Sequence, residues 1–256
     1  MSALDRFRLD GRSVLITGGA RGLGKAMAEA LATAGASVAI TARDPEAATA
    51  AAKVLADTTG AKTLGIAAEV TNAESVAAMV ARTLDAFGAV DVLVNNAGIN
   101  IRRPIEQLEE SEWTQVMDTN LKGPWLCCRA VLAPMRAKGW GRVINLSSIL
   151  GELGMADRSL YCSSKGGLTL LTRTLAVEWA PYGINVNALC PGPFATEMNT
   201  TVLNDPVARA RFSERTAQKR WADPGELGPA ALFLASEASS FVTGITLYVD
   251  GGYTAQ

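Results

Sequence analysis

The sequence predicts a doubly wound α/β fold, in which helices cover both faces of a mostly parallel, seven-stranded sheet. Short apolar runs of strand character lie near 13–17, 37–41, 63–68, 91–95, 142–147, 184–190 and 245–249. Helical patterns separate them, and strands that alternate with helices form a parallel sheet through crossover connections. The chain has 256 residues, 48% of them hydrophobic. That is enough to bury a large core, so we expect a single domain over 1–256.

The first apolar run leads directly into a glycine-rich turn and then into a helical pattern. The segment is Thr17-Gly18-Gly-Ala-Arg21-Gly22-Leu23-Gly24. Glycines let the backbone turn tightly and approach a pyrophosphate, and the N-terminus of the next helix presents N–H groups and a partial positive charge. A glycine turn without a ligand is the alternative, but the strand-to-helix context favours a nucleotide site.

Proton chemistry in this chain must come from a residue other than histidine, because the sequence contains none. Tyr161 and Lys165 are four positions apart, which places them on one face of a helix. A cation about 4 Å from a phenolate contributes at most ~4 kcal/mol at an effective dielectric of about 20, which corresponds to roughly 3 pKa units. Lys165 could therefore bring the phenol towards neutral pH, while desolvation would oppose it. A surface pair at helical spacing is the alternative.

Two further polar residues could belong to the same site as this pair. Ser148 ends the fifth predicted strand, thirteen residues before Tyr161, and Asn120 lies within a helical pattern. A serine hydroxyl there can donate to a substrate oxygen. Taken singly, Ser148 could form a local turn bond and Asn120 could simply bend a helix. The set of four favours a catalytic interpretation.

These motifs together resemble the short-chain dehydrogenase/reductase family over 9–253, nearly the whole chain. The glycine spacing is the family's Thr-Gly-x-x-x-Gly-x-Gly. The other motifs follow in the family's order: Asn95-Asn96-Ala97-Gly98, Asn120, Ser148, Tyr161 with Lys165, Pro191-Gly192 and Val249-Asp-Gly-Gly252. Together, these ordered motifs are far more specific than any one of them.

The resemblance implies a Rossmann-type fold and a role for each residue of the set. Tyr161 would be the general acid that protonates a carbonyl, or the base in the reverse direction. Lys165 would lower the pKa of the phenol and hold the nicotinamide ribose, Ser148 would bind the substrate oxygen, and Asn120 would hold a water that links Lys165 to solvent. The expected cofactor contacts are Gly18, Arg21, Gly22, Leu23, Gly24, Arg43, Glu69, Val70, Asn96, Gly98, Tyr161, Lys165, Pro191, Gly192, Phe194 and Thr196.

Charge at the end of the second strand indicates NADP(H) rather than NAD. An acidic residue at this place binds the ribose 2′-hydroxyl of NAD, and an arginine suits the 2′-phosphate of NADP. The family's acidic position falls on Ala42, and Arg43 follows it, with Arg21 as a second cation. Asp44 precedes a proline and is expected to cap the next helix.

One position of the cofactor pattern departs from the family. The family usually has Asp before Val at the position that contacts adenine, whereas this chain has Glu69 before Val70. The longer side chain leaves it open whether that contact is kept.

The segment 193–221 interrupts the regular alternation, because it is polar, charged and without strand character. Long insertions of this kind are often binding loops. By the family resemblance, this segment would be a lid over substrate and nicotinamide.

The substrate is predicted from the loop after the fourth strand, where Arg102 and Arg103 could hold a carboxylate. Glu152, shortly after Ser148, could accept hydrogen bonds from substrate hydroxyls. The two arginines and the run Trp179-Ala-Pro-Tyr-Gly-Ile-Asn-Val-Asn187 resemble the gluconate 5-dehydrogenase branch, which implies a secondary alcohol or ketone on a sugar acid or polyol. A 3-oxoacyl-carrier-protein reductase is the alternative, and a non-catalytic NADP-binding regulator is an alternative of another class. The arginines could instead be solvated at a loop edge.

The amino-acid composition limits which partners and metal sites are expected. The chain has 24 Lys and Arg against 25 Asp and Glu, so its net charge of −1 gives no reason to expect nucleic acid or an anionic membrane surface. Four cysteines without a Cys-x-x-Cys pair, and no histidine, make a metal site improbable. We expect a cytoplasmic protein. The family resemblance implies a homotetramer through two long helices at about 112–137 and 159–180.

Overall fold

A computed structural model describes residues 2–256, and within that range seven strands form one sheet in which every pairing is parallel. The strand order is β3-β2-β1-β4-β5-β6-β7. The strands are β1 (Ser13–Thr17), β2 (Ser37–Ala42), β3 (Thr63–Ala67), β4 (Val92–Asn95), β5 (Gly141–Leu146), β6 (Ile184–Pro191) and β7 (Thr246–Val249). The predicted Rossmann-type fold is confirmed, and each expected strand lies within a residue or two of its predicted bounds.

Helices cover both faces of this sheet. They are α1 (Gly22–Thr33), α2 (Pro45–Thr59), α3 (Ala73–Phe87), α4 (Glu110–Met117), α5 (Gly123–Lys138), α6 (Ser159–Trp179), α7 (Thr200–Leu203), α8 (Pro206–Arg215) and α9 (Gly228–Ala235). Along β1, Val14 and Ile16 join the core beneath α1 and α9, whereas Leu15 joins the core beneath α3, α5 and α6. Because successive side chains alternate between the faces of a strand, the continuous apolar run of β1 fills two layers at once.

The first of the two predicted long helices is divided in the structure. A π-helical turn, Asp118–Lys122, separates α4 from α5. Such turns widen the backbone locally and are frequent at functional sites. Asn120 lies in this turn with its side chain fully buried.

The amino edge of the sheet is tied together by one buried carboxylate. Asp91, which is 0% exposed, accepts hydrogen bonds from the backbone N–H of Ser13 at 3.0 Å and from Lys138, and it lies 3.4 Å from Arg12. A buried carboxylate is stable only when it is paired in this way. The cluster fixes β1 beside β4 at the edge opposite to the glycine turn.

The strand order reverses between β1 and β4, since β1 has β2 on one side and β4 on the other. In open parallel sheets, ligands bind at the carboxyl ends of the strands where the order reverses. The glycine turn follows β1 and Asn96 follows β4, so the fold brings both motifs to this crevice.

The segment 193–221 begins after β6 and contains α7 and α8. Its two ends meet, because Ala222 N donates to Pro193 O at 3.0 Å and Ala195 N donates to Ala222 O at 2.9 Å. The segment is thus a loop that leaves and returns at the carboxyl edge of the sheet, with its two ends hydrogen-bonded to one another. Separately, none of the helices in residues 2–256 combines the length and apolar character needed to cross a membrane.

Candidate active site

The glycine-rich turn has the geometry of a cradle for a phosphate group. Gly18 and Gly22 have positive φ angles of 63° and 55°, which favour glycine. A Cβ on Gly24 would lie 2.5 Å from both the Asn96 side-chain nitrogen and Gly18 O. A side chain is therefore excluded at position 24 for steric reasons. The backbone and the N-terminus of α1, which begins at Gly22 with Leu23 next in its first turn, face outward and fit a pyrophosphate.

Asn96 holds the glycine turn against the end of β4. Its amide donates to Thr17 O at 2.9 Å and to Gly18 O at 2.7 Å. The backbone N–H groups of Asn96 and Ala97 both donate to the Thr17 hydroxyl at 3.1 Å. These bonds fix the two loops that form the crevice relative to one another.

At the end of β2, the cationic side chain of Arg43 follows the small residue Ala42. Arg43 is exposed, and within residues 2–256 it forms no ion pair with a carboxylate. Asp44 caps α2, because its carboxylate accepts from Glu46 N at 2.9 Å. The carboxylate of Asp44, the residue next to Arg43, thus serves as a helix cap.

Arg21, the second predicted cation, is 77% exposed and lies 3.6 Å from Glu197 of the segment 193–221. An exposed pair at this distance is weak, so Arg21 remains able to turn towards another anion.

The Glu69 carboxylate does not extend into the crevice. It accepts from Thr71 N at 3.2 Å and from the Thr71 hydroxyl at 3.1 Å. The longer side chain, where the family has Asp, folds back onto its own turn. Val70 is 6% exposed and packs towards Gly123 at the start of α5. The predicted adenine contacts of Glu69 and Val70 stay predictions.

Asn120 joins the loop after β4 to the helix that carries Tyr161. Its oxygen accepts from Ile99 N at 2.9 Å, and its amide donates to Ile99 O at 2.9 Å and to the Ser164 hydroxyl at 3.1 Å. A Cβ placed on Gly98 would lie 3.2 Å from the Asn120 oxygen and 3.7 Å from Lys165 Nζ. Glycine at position 98 therefore leaves room for these groups to meet.

Ser148, Tyr161 and Lys165 converge at the carboxyl end of β5. Ser148 follows this strand; its hydroxyl accepts from Leu150 N at 3.1 Å, and its proximity lowers the pKa of the Tyr161 phenol. Lys165 is 4% exposed; its Nζ donates to Leu146 O at 2.6 Å and lies 5.6 Å from the centre of the Tyr161 ring. The structure thus brings together the residues that the sequence predicted as a set.

The pKa values of Tyr161 and Lys165 differ from the expectation that the lysine charge brings the pKa of the phenol towards neutral pH. Burial raises the pKa of Tyr161 to about 12, and the proximity of Ser148 and the charge of Arg102 oppose that rise. Burial also lowers the pKa of Lys165 to about 8. Desolvation is the largest effect on both pKa values, because both groups are removed from water. The ammonium of Lys165 also donates to a backbone carbonyl instead of to the phenol oxygen. A phenol with this pKa keeps its proton near neutral pH, as a general acid requires.

The two adjacent arginines lie in different surroundings. Arg102 is partly buried; its charge acts on Tyr161, and its Nη2 donates to Asn199 Oδ1 at 2.8 Å and to Met198 O at 3.2 Å. Arg103 is exposed and forms an ion pair with Glu112 at 2.8 Å. The structure therefore ties Arg102, whose charge lowers the pKa of the phenol, to the segment 193–221, while Arg103 is held by α4.

Glu152 lies on the loop between β5 and α6. It is exposed, and it accepts from the Tyr248 hydroxyl at 3.5 Å. Its predicted contact with substrate hydroxyls stays a prediction.

Sequence reasoning missed Arg158 and Asn199. Arg158 precedes Tyr161 by three positions, and burial and the charge of Arg102 lower its pKa. Its spacing from Tyr161 was the signal available in the sequence, since residues three apart are neighbours on a helix. Asn199 gave no such signal, because its contact with Arg102 joins positions 97 residues apart.

The remaining predicted cofactor residues lie where β6 ends. Gly192 N donates to Val249 O at 3.0 Å, which aligns Pro191 and Gly192 beside β7. Phe194 is 1% exposed and belongs to the core, so its backbone rather than its ring is available to a ligand. The Thr196 side chain lies 3.9 Å from a Cβ placed on Gly22. The start of the segment 193–221 therefore adjoins the glycine turn.

Comparison with known proteins identifies the family. The family described as enoyl-(acyl carrier protein) reductase matches residues 18–254. The chain is 40% identical to 5-keto-D-gluconate 5-reductase of Escherichia coli strain K12 over 248 residues, 97% of each chain. It is also 40% identical to a 3-oxoacyl-[acyl-carrier-protein] reductase of Vibrio cholerae over 244 residues, 95% of this chain and 98% of the relative.

A solved structure is similar along its whole length. It is a gluconate 5-dehydrogenase from Burkholderia cenocepacia in complex with NADP and tartrate, with a TM-score of 0.96, 41% identity and complete coverage of both chains. The resemblance carried by the motifs is thereby confirmed. The chain belongs to the short-chain dehydrogenase/reductase family, whose members are oxidoreductases acting on hydroxyl and keto groups.

Proposed function

We propose that this protein is an NADP-dependent oxidoreductase that interconverts a secondary alcohol and a ketone on a sugar acid or polyol. The observation that carries the proposal is the convergence of Ser148, Tyr161 and Lys165, with the charge of Arg102 acting on the same phenol. An acid, a hydroxyl donor and a cation then surround the place where a carbonyl oxygen gains its proton.

Each residue of this set has one task in the proposal. The bound nicotinamide supplies or accepts the hydride. Tyr161 Oη donates the proton to the carbonyl oxygen in reduction and receives it in oxidation. Ser148 orients the substrate oxygen, and the ammonium of Lys165 stabilises the phenolate that remains. Asn120 holds the loop at Ile99 and the helix at Ser164 in register, which positions Lys165 for a proton path to solvent.

NADP fits the residues at the adenosine end of the crevice. Arg43 is free to meet a 2′-phosphate, Ala42 offers no carboxylate to repel it, and Arg21 supplies a second cation. The relative from Burkholderia cenocepacia was solved with NADP in its site, which supports the assignment. The segment 193–221 would act as the lid, since Thr196 adjoins the glycine turn and Asn199 meets Arg102.

The sugar-acid substrate is supported by the relatives named for gluconate and keto-gluconate and by Arg102, whose charge acts on the phenol. The relative named 3-oxoacyl-[acyl-carrier-protein] reductase keeps a carrier-bound thioester as the competing substrate. A cytoplasmic location belongs to the proposal and agrees with four cysteines that are all free thiols.

A panel of sugar acids, polyols and acetoacetyl thioesters with NADP(H) tests the substrate class. We expect a 5-keto sugar acid to be reduced with NADPH at a higher kcat/KM than acetoacetyl thioesters. The measurement is the loss of NADPH absorbance. Faster reduction of the thioester would identify a carrier-protein reductase instead, and no turnover across the panel would favour a non-catalytic NADP-binding regulator.

The catalytic acid is tested with Tyr161→Phe. We expect turnover to fall by roughly 10²–10⁴-fold or more, since the variant loses the proton donor but keeps the ring. Circular dichroism and NADPH binding should match the wild type. Tyr182→Phe, at the far end of α6, is the matched control and should keep its activity. Near-normal turnover of Tyr161→Phe would remove the proposed role.

The role of Lys165 is tested by the pH dependence of alcohol oxidation. Oxidation needs the phenolate, so its rate should rise with pH in the wild type, whose phenol pKa lies well above neutral. A positive charge on Lys165 stabilises the phenolate, and a phenolate in turn favours the charged form of Lys165 against the effect of burial. Lys165→Ala should therefore move the rise to higher pH. A rise at the same pH would show that the lysine has no electrostatic role.

Cofactor choice is tested with Arg43→Ala. Loss of an arginine that binds a phosphate should weaken NADPH by about 1.5–3 kcal/mol and leave NADH nearly unchanged. Arg21→Ala should have a smaller effect of the same kind, because Arg21 also interacts with Glu197. Dissociation constants from nicotinamide fluorescence measure both. Equal losses for the two cofactors, or a wild type that prefers NADH, would contradict the contact.

A homotetramer is part of the proposal, supported by apolar surface on α5 and α6. A cavity of about 440 Å³ lies beside these helices, lined by Met117, Leu121, Trp125 and Leu171 among others. Leu170 and Val177 of α6 are 63% and 78% exposed. A partner helix would cover these side chains. Light scattering at micromolar concentration should give four times the 26.8 kDa chain mass, and a monomer would refute the assembly.

A further inference from the structure

Asn199 is the residue immediately before α7, yet its side chain does not cap that helix. An asparagine in this position usually accepts a hydrogen bond from one of the first free N–H groups of the helix. The residues before α2, α3 and α8 follow this rule, since Asp44, Asn72 and Asp205 each accept from a backbone N–H of the helix that follows. The side chain of Asn199 forgoes this local bond and is used elsewhere.

Both polar groups of the Asn199 side chain form hydrogen bonds away from α7. Its Oδ1 accepts from Arg102 Nη2 at 2.8 Å, and its Nδ2 donates to Phe194 O at 3.0 Å. The side chain is partly buried, so an unmade bond at either end would be costly. The amide thus forms a bridge between the backbone of Phe194 and the guanidinium of Arg102.

The Phe194 end of this bridge is anchored in the core. Phe194 is 1% exposed. The residues on either side of it pair with Ala222, since Ala195 N donates to Ala222 O at 2.9 Å and Ala222 N donates to Pro193 O at 3.0 Å. The position of Asn199 is therefore set by the base of the segment 193–221, and not by α7 and α8, which follow it along the chain.

At the other end of the bridge, a single nitrogen of the Arg102 guanidinium is held by two acceptors. Nη2 donates to Asn199 Oδ1 at 2.8 Å and to Met198 O at 3.2 Å. Within residues 2–256, Nε and Nη1 of Arg102 form no hydrogen bond. Because the guanidinium is planar and rigid, bonds at Nη2 also fix the directions of the N–H groups on Nε and Nη1.

We propose that Asn199 is a positioning residue, which orders the guanidinium of Arg102 before the substrate arrives and leaves its free N–H groups for the substrate carboxylate. The inference rests on the proposed function, in which Arg102 holds that carboxylate, and it adds the residue on which this grip depends. Arginine is among the side chains that lose most rotamer freedom when they are ordered. An arginine that is already ordered therefore binds an anion at a smaller entropic cost.

The kinetic test compares two alcohols that differ only at C1, oxidised with NADP. D-gluconate carries a carboxylate there, and D-sorbitol carries a hydroxymethyl group. For Asn199→Ala we expect KM for gluconate to rise about 10-fold, kcat to change much less, and KM for sorbitol to stay unchanged.

Asn185→Ala is the matched control for this change. The amide of Asn185 also bridges two parts of the chain, since it donates to Ser239 O and Ser240 O at 3.1 Å. Asn185 lies at the start of β6, at the edge of the sheet opposite to the site. The control variant loses the same chemical group and should leave KM for both alcohols unaffected.

A double variant tests whether Asn199 acts through Arg102. In a protein that already carries Arg102→Ala, the further change Asn199→Ala should cause no additional rise in log KM for gluconate, because the group that Asn199 positions is gone. An additional rise as large as that in the wild type would show that Asn199 acts through another group, and it would overturn the proposal.

The reaction of phenylglyoxal with arginine gives a readout that needs no substrate. Asn199→Ala should speed the modification of Arg102 about 3-fold or more, because a guanidinium released from its bonds samples more rotamers. Mass spectrometry measures the rate at each arginine. Arg103, which pairs with Glu112 at 2.8 Å, is the internal control and should react at the same rate in both proteins. An unchanged rate at Arg102 would overturn the proposal.

Failure of this inference and failure of the proposed function give different results. If the wild type oxidises gluconate, then equal losses on the two alcohols, or an unchanged KM for gluconate in Asn199→Ala, overturn the role of Asn199 alone. A lower KM for gluconate overturns it too, since Asn199 would then compete with the substrate for Arg102. A wild type that oxidises neither alcohol refutes the proposed substrate class, and faster labelling of Arg102 would then leave Asn199 with a structural contact only.

Discussion

The buried amide of Asn120 joins the two halves of the site, and the arrangement of the other groups depends on it. On one side it binds both polar groups of the Ile99 backbone, in the loop that leads to Arg102. On the other side it donates to Ser164, one residue before Lys165. Because the amide is fully buried, each of these bonds is costly to leave unmade. The π-helical turn at Asp118–Lys122 is what directs the side chain inward between α4 and α5.

Burial sets the protonation states of Tyr161 and Lys165. The phenol of Tyr161 and the ammonium of Lys165 are both desolvated, so the pKa of the first rises to about 12 and that of the second falls to about 8. Both shifts favour neutral groups near pH 8. Ser148 and Arg102 oppose the shift of the phenol pKa.

Arg102 and Arg103 show what a sequence pattern can predict and what it cannot. Arg102 and Arg103 are adjacent and chemically identical, and the sequence gives no reason to separate them. In the structure, Glu112 pairs with Arg103 and the segment 193–221 engages Arg102. Asn199, which accepts a hydrogen bond from Arg102, was missed, because this contact joins positions 97 residues apart.

The sequence by itself determined the sheet, the glycine turn and the set of Asn120, Ser148, Tyr161 and Lys165. These follow from local rules: apolar runs specify buried strands, glycines specify positive φ at Gly18 and Gly22, and helical spacing aligns Tyr161 with Lys165. Only the tertiary structure decided the partner of each charge and the folding back of Glu69 onto Thr71. Desolvation and ion pairing depend on distances between residues far apart in the chain, and those distances are fixed by packing.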